Sequence, residues 1–102
     1  MARKPSSVHP AAEREATREF RYYQRVAAMG SAFLDALSAA LERVCVAPEA
    51  GSPAGVIRGE TVRSVRVRGF PYRLIYVERA TLVRVLAVAH KSRRPQYWRR
   101  RG

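Results

Sequence analysis

The sequence predicts an α+β fold: an N-terminal antiparallel helical hairpin packed on a small antiparallel β-sheet, with a basic C-terminal tail. Two helical patterns come first along the chain, and three closely spaced strand patterns follow them. Helices before strands indicate a hairpin that covers one face of the sheet. With 102 residues, the chain is expected to form a single domain over residues 1–102, whose core buries roughly 65% of the unfolded surface.

The first helix is predicted to begin at His9-Pro10, because proline favours the first helical position. The eight residues before it are expected to be loose or to form one short irregular strand around Val8. Gly30 suits a left-handed helix cap, so the helix is predicted to end at Met29-Gly30. Between these limits an apolar stripe recurs at spacings of four and three: Ala12, Ala16, Phe20, Tyr23 and Ala27.

The second helix is predicted to start with Ser31 as its cap and to end shortly before Pro48. Because the break between the two helices is short, they are expected to lie antiparallel. The apolar stripe of the second helix comprises Phe33, Leu37, Ala40, Leu41 and Val44. Cys45 lies in the same helix and is expected to be a small buried apolar residue.

Residues 48–61 are rich in proline and glycine, which predicts a loop. Three strand patterns follow at Val62–Arg68, Tyr72–Val77 and Leu82–Ala89. Their close spacing predicts an antiparallel meander. Side chains alternate along it, so the face that carries the arginines is expected to point outward.

The charge is uneven along the chain. Residues 1–51 hold seven basic and six acidic side chains, whereas residues 52–102 hold thirteen basic and two acidic ones. Nearly all of the net charge of +12 therefore belongs to the second half. Such asymmetry indicates a polyanionic partner, either a nucleic acid or an acidic protein.

Composition also limits the kind of protein. No apolar run approaches the ~20 residues of a membrane span, and the N-terminus lacks the apolar stretch of a secretory signal, so a cytoplasmic location is expected. A single cysteine excludes an internal disulfide and a four-cysteine zinc site. No metal and no small-molecule cofactor are expected.

Several short motifs, in this order and spacing, resemble toxins of the RelE/ParE superfamily, the toxic components of type II toxin–antitoxin modules. The resemblance covers about residues 8–98. It is carried by His9-Pro10-Ala11-Ala12, Gly30-Ser31-Ala32-Phe33, Pro48-Glu49-Ala50-Gly51, Phe70-Pro71-Tyr72-Arg73-Leu74-Ile75-Tyr76, Val85–His90, Arg94-Pro95 and Tyr97-Trp98. It implies a cognate antitoxin that masks the surface of the toxin.

The resemblance leaves the target open. RelE-like members cut mRNA on the ribosome, whereas ParE-like members inhibit DNA gyrase and need no cutting chemistry. The first interpretation is a metal-independent, ribosome-dependent endoribonuclease, and the alternative is a non-catalytic gyrase inhibitor. A third interpretation is a nucleic-acid-binding module without toxicity.

Under the nuclease interpretation, RNA cleavage needs a proton acceptor, a proton donor and cations around the phosphate. His90 titrates near neutrality and is the candidate acid or base. The resemblance assigns phosphate binding to Arg73, and Arg93 and Tyr97 are further catalytic candidates. The remaining candidates for binding the target are Arg66, Arg68, Lys91, Arg94 and Trp98.

Two features depart from the RelE pattern. This chain carries arginines in the preceding strand where RelE carries lysines, and arginine is a poor proton shuttle. The spacing from the tail arginine to the tyrosine is also shorter than in RelE. In addition, the glutamate base of related toxins has no clear equivalent. Structural roles are also open: His90 suits a hydrogen bond at the strand end, Tyr72 and Tyr76 suit the core, and Trp98 suits an anchor for the tail.

Overall fold

The computed structural model describes residues 3–102, and its α+β architecture is the one predicted. Two helices pack on one face of a five-stranded, mostly antiparallel sheet with the strand order β1-β5-β4-β3-β2. The elements are β1 (Ser6–Val8), α1 (Pro10–Ala27), α2 (Gly30–Val46), a 3-10 turn (Pro48–Ala50), β2 (Ser52–Ile57), β3 (Glu60–Val67), β4 (Tyr72–Glu78) and β5 (Val83–His90).

The start of α1 agrees with its sequence. His9 is the N-cap, and its Nδ1 accepts a hydrogen bond of 3.0 Å from the backbone N–H of Ala11. Pro10 occupies the first turn, where a backbone N–H would have no acceptor within the helix, so its absence loses no hydrogen bond. The short strand predicted around Val8 is β1, which pairs in parallel with β5. Residues 1 and 2 of that predicted segment lie outside the described residues.

The connection between the helices differs from the prediction. Ala28, with φ of 52°, is the left-handed cap of α1, whereas Gly30 is already the first residue of α2. Met29, not Ser31, is the N-cap of α2, and it makes no side-chain hydrogen bond there. Gly30 is needed for close packing instead, because a Cβ there would lie 2.7 Å from the Phe20 ring.

The prediction of a loop over residues 48–61 was wrong, because this segment contains β2 and the start of β3. β2 forms one edge of the sheet, and its register with β3 shifts between Pro53 and Gly55. An edge strand tolerates proline and a bulge tolerates glycine, so the residues that mimic a loop are compatible with this strand.

The sheet has a core on each face. The helix-facing core contains Phe33, Ala40, Val44, Tyr72 and Tyr76, which confirms the predicted apolar stripe of α2 and the buried tyrosines. The opposite face holds a second core, in which residues 91–102 fold back and Trp98 packs among apolar strand residues. The arginine-bearing face is therefore only partly exposed, contrary to expectation. Within residues 3–102, neither helix is long and apolar enough to cross a membrane.

Candidate functional site

Arg73, on the central strand β4, lies directly opposite Arg66 of β3. The Nε of Arg73 donates a 2.8 Å hydrogen bond to the Ser64 hydroxyl, which fixes the guanidinium against the outer face of the sheet. Like charges placed directly opposite each other across two strands destabilise a sheet. This pair therefore indicates a surface that favours an anion at some cost to the fold.

Arg43, near the end of α2, joins these strand residues, and no sequence pattern predicted it. Its Nη2 donates a 2.6 Å hydrogen bond to the backbone carbonyl of Arg66. Burial lowers the pKa of the Arg43 guanidinium, and the charge of Arg68 acts in the same direction. A basic residue in the last helical turn ordinarily serves the helix dipole, so its sequence context does not point to the sheet.

Together these residues line a groove of about 450 Å³, here called the arginine groove. It is lined by Arg43, Ser52, Ser64, Arg66, Arg68 and Arg73, and no carboxylate is among the described residues that line it. None of the ion pairs found within residues 3–102 involves its four arginines. Four guanidinium groups without counter-charges form a site for phosphate or carboxylate groups.

A second groove of about 200 Å³, here called the tail groove, shares Arg73 with the arginine groove. Its lining includes His90, Lys91, Arg93 and Arg94, which places these four predicted site residues beside Arg73. The two grooves thus form one basic face, and most of the candidate residues named from the sequence lie on it. Arg66 and Arg68 belong to its arginine groove and the other candidates to its tail groove.

His90 has a local structural partner as well as a place in the tail groove. Its Nδ1 accepts hydrogen bonds from the Ser92 backbone N–H at 3.0 Å and from the Ser92 hydroxyl at 2.7 Å. Its ring lies edge-on to Tyr72, with 5.1 Å between the ring centroids. These contacts place the proton of a neutral imidazole on Nε2, which has no hydrogen-bond partner within residues 3–102.

Tyr97 is tied to α1 rather than free in the groove. Its hydroxyl donates a 2.7 Å hydrogen bond to Glu15, and the Arg93 guanidinium lies 3.8 Å from its ring centroid. Burial raises the pKa of the Tyr97 hydroxyl, and the hydrogen bond to Glu15 raises it further. The hydroxyl therefore stays protonated at neutral pH, and its proton is already committed to a carboxylate.

Trp98 anchors the tail, which is one of the two roles considered for it; the other was binding of the target. Its side chain is only 4% exposed and packs against Ile57, Val62 and Leu86 on the outer face of the sheet. A buried ring cannot stack on a partner unless the tail moves. Its position instead fixes the chain that carries Arg93 and Arg94.

Glu15 organises this region, and sequence reasoning missed it. The carboxylate is 5% exposed and accepts hydrogen bonds from the Val88 backbone N–H, the Tyr97 hydroxyl and the Arg101 guanidinium. A detectable sign was present, since Glu15 lies beside Ala12 and Ala16 on the apolar side of α1. A charged residue in such a stripe indicates a buried partner.

The basic face can bind a polyanion through charge-assisted hydrogen bonds, and its histidine is the one side chain suited to proton transfer near neutral pH. Within residues 3–102, no three His, Cys, Asp or Glu side chains gather closely enough to hold a metal ion.

Comparison with known proteins adds the family. Residues 7–95 match the family model described as the ParE toxin of the type II toxin–antitoxin system parDE. The structure is similar to one from the chromosomal ParDE system of P. aeruginosa, with a TM-score of 0.70 and 10% sequence identity. The similar region covers 85% of this chain and 95% of that one, and at this identity it concerns the fold. No curated protein sequence is a significant match.

The match extends over most of the chain and confirms the resemblance to the RelE/ParE superfamily. It favours a toxin over a nucleic-acid-binding module without toxicity. A toxin of this type implies a cognate antitoxin as its partner. The chain therefore belongs to the ParE toxin family of type II toxin–antitoxin systems.

Proposed function

We propose that this toxin arrests growth by inhibiting DNA gyrase without cutting a nucleic acid. The observation that carries the proposal is the composition of the basic face. It concentrates guanidinium groups, whereas the described residues that line its two grooves include no carboxylate able to act as a base. The ParE-like toxins that the sequence resembles need no cutting chemistry, and the family match favours them over RelE-like nucleases.

The positions of the other proton-transfer candidates support the same function. The Tyr97 hydroxyl donates a hydrogen bond to Glu15, and an arginine side chain is in general a poor proton shuttle. Binding needs no proton transfer: an array of cations complementary to an acidic surface speeds association and orients the partner. The guanidinium of Arg73, held by Ser64, and that of Arg43, held by the Arg66 carbonyl, are fixed members of such an array.

A supercoiling assay tests this function directly. Purified toxin is added to gyrase and relaxed plasmid, and we expect loss of supercoiling or accumulation of double-strand breaks. Arg66→Gln and Arg73→Gln should weaken inhibition at least tenfold. Arg58→Gln is the matched control, because Arg58 is exposed in the turn between β2 and β3 and lines neither groove. Unaffected gyrase at toxin concentrations that stop growth would refute the proposal.

Ribosome-dependent mRNA cleavage is the second candidate function, and one observation favours it. His90 lines the same groove as Arg73 and Arg93, and its Nε2 has no hydrogen-bond partner within residues 3–102. An imidazole beside two guanidinium groups can protonate a leaving oxygen while the cations hold the phosphate.

Mapping of new 5′ ends in a translating extract separates the two functions. Cleavage within codons that disappears in His90→Gln and Arg73→Ala would establish the nuclease and overturn the gyrase proposal. Because His90 also bonds Ser92, the His90→Asn variant is a useful companion, since its side chain can still accept a hydrogen bond at the strand end. Intact message with all variants would exclude cleavage.

A further inference from the structure

The solvent side of α1 is more basic than its sequence suggests. α1 contains four arginines and three glutamates, which look nearly balanced. However, Glu15 is buried against Arg101, and Glu19, whose side chain is 16% exposed, accepts a 2.9 Å hydrogen bond from Tyr72. Both carboxylates therefore bind groups on the core side of the helix, whereas all four arginines are exposed.

The four arginines lie on one line along the helix, here called the helix stripe: Arg14, Arg18, Arg21 and Arg25. Their spacings of four, three and four place them on the face opposite the core. At a rise of about 1.5 Å per residue, the stripe is roughly 16 Å long. With Thr17 and Tyr22 it lines an open groove of about 820 Å³ to which only α1 contributes.

Most of the helix stripe does not stabilise the helix that carries it, although Arg25, in the last turn, complements the helix dipole. Like charges four residues apart disfavour a helix, and this applies to Arg14 with Arg18 and to Arg21 with Arg25. Two carboxylates of α1, those of Glu13 and Glu19, also line the groove, and Arg18 Nε lies 3.4 Å from Glu19, so four arginines face two counter-charges. Among residues 3–102, no acidic side chain from another element lines this groove.

Arginine and tyrosine together are suited to contacts with a phosphate backbone. The guanidinium group makes two parallel hydrogen bonds to a phosphate, which a lysine cannot do. Tyr22 is 46% exposed beside the stripe and offers a hydroxyl for a further phosphate contact. The length of the stripe, roughly 16 Å, matches the axial rise of about five base pairs of a duplex, at about 3.4 Å each.

We propose that the helix stripe is a second polyanion-binding surface, separate from the basic face, which binds the phosphate backbone of double-stranded nucleic acid. The inference goes beyond gyrase inhibition and does not depend on it. The basic face lies on the sheet and at its end, whereas the helix stripe lies on the opposite layer of the fold. Two such surfaces allow the toxin to contact duplex and target together.

Binding to a labelled duplex of random sequence, measured by fluorescence anisotropy at several salt concentrations, tests this surface. Each lost phosphate contact lowers the slope of log affinity against log salt by about 0.9. For the variant with Gln at all four stripe positions, we expect at least tenfold weaker binding and a slope reduced by about three. The variant with Lys at the same positions should keep most of the slope, because the charge remains.

A matched pair of double variants controls for net charge. Arg21→Gln with Arg25→Gln removes two stripe charges, and Arg58→Gln with Arg100→Gln removes two exposed charges that do not line the groove. Glutamine is a good helix former, so circular dichroism should report unchanged helix content in the stripe variants. Equal loss of affinity in both double variants would overturn the proposal, because binding would then follow net charge alone.

The same variants separate nucleic acid from a protein occupant. If duplex affinity is unchanged while capture of the cognate antitoxin falls, the stripe is a protein-docking face and the proposal is overturned. Because naked duplex is the probe, a failure of gyrase inhibition would leave this result untouched. The two proposals therefore fail by different measurements.

Discussion

Glu15 and Arg101 form an ion pair of 2.9 Å, although 86 residues separate them along the chain. Arg101 also donates a 3.0 Å hydrogen bond to the Leu86 carbonyl, so its guanidinium joins α1, β5 and the last residues of the chain. The Arg101 side chain is only 18% exposed and the Glu15 side chain only 6%, so water screens this pair weakly. The contact holds the chain that follows the basic face against the sheet.

Replacing this carboxylate should loosen the tail. Glu15→Ala leaves the Arg101 guanidinium without its carboxylate and the Val88 N–H without its acceptor, and we expect a loss of about 3 kcal/mol in the free energy of unfolding. Urea denaturation followed by the fluorescence of Trp98, the one tryptophan of the chain, measures it. Glu13→Ala, exposed on the same helix, is the control. A similar loss in both variants would contradict the role assigned to Glu15.

Arg66→Gln should raise stability while it lowers toxicity. Removing the repulsion with Arg73 is expected to increase the free energy of unfolding by about 0.5 kcal/mol. Growth after induction should recover, because the arginine groove loses one of its four cations. Arg66→Lys keeps the repulsion and should leave stability unchanged. Lower stability in Arg66→Gln would mean that the opposed pair does not strain the sheet.

Tyr76→Phe should destabilise the fold without touching the basic face. The Tyr76 hydroxyl is fully buried, donates a 2.6 Å hydrogen bond to the Pro48 carbonyl and accepts one of 3.1 Å from the Gly51 N–H. Leaving these two groups unpaired should cost about 1–3 kcal/mol in thermal or urea unfolding. Tyr22→Phe, at a half-exposed site, should change little. Equal stability of the two variants would be the contrary result.

His9 should make the stability of the fold fall on mild acidification. Burial lowers the pKa of His9, and the nearby charges of Arg84 and Arg101 act in the same direction. The unfolded chain, with an ordinary pKa of about 6.5, therefore binds the proton more readily. The stability that neutral His9 contributes to the fold is therefore complete above a pH of about 6.5. It is lost as the pH falls below that value.

Comparison of wild type with His9→Ser isolates this effect. Serine caps a helix well and does not titrate, so unfolding of the variant should depend less on pH between about 7 and 5. All other titrating groups are common to both proteins. Identical pH profiles would show that protonation of His9 is not linked to folding.

Local patterns were sufficient to predict both helices and the last three strands, because each has its own apolar periodicity. β2 was missed because Pro53 and Gly55 resemble a loop, and only its place at the sheet edge explains them. The helix connection was misplaced for a related reason. The sequence gives Gly30 as the residue best suited to positive φ, but close packing on Phe20 requires the glycine there, so Ala28 takes the left-handed conformation.

Site residues that lie close together in the sequence were easier to predict than site residues that come from distant parts of the chain. Arg73, His90, Lys91, Arg93 and Arg94 meet because β4 and β5 pair and the chain turns directly after β5. Arg43 and Glu15 reach the same region from the helices, and no spacing rule relates them to the strands. Some basic residues of the second half form ion pairs instead of joining the basic face: Arg79 pairs with Glu60, and Arg101 pairs with Glu15.

The parallel pairing of β1 with β5 affects when the toxin can complete its fold. Ser6 aligns with Val83, and Val8 aligns with Val85, so the first strand has no neighbour until the last strand has been synthesised. Arg84 of β5 also donates to the Ser7 hydroxyl. During translation the sheet therefore remains open at the edge of β4. We expect the five-stranded sheet to be complete only after β5 has emerged from the ribosome, by which time both helices and the other strands have been synthesised.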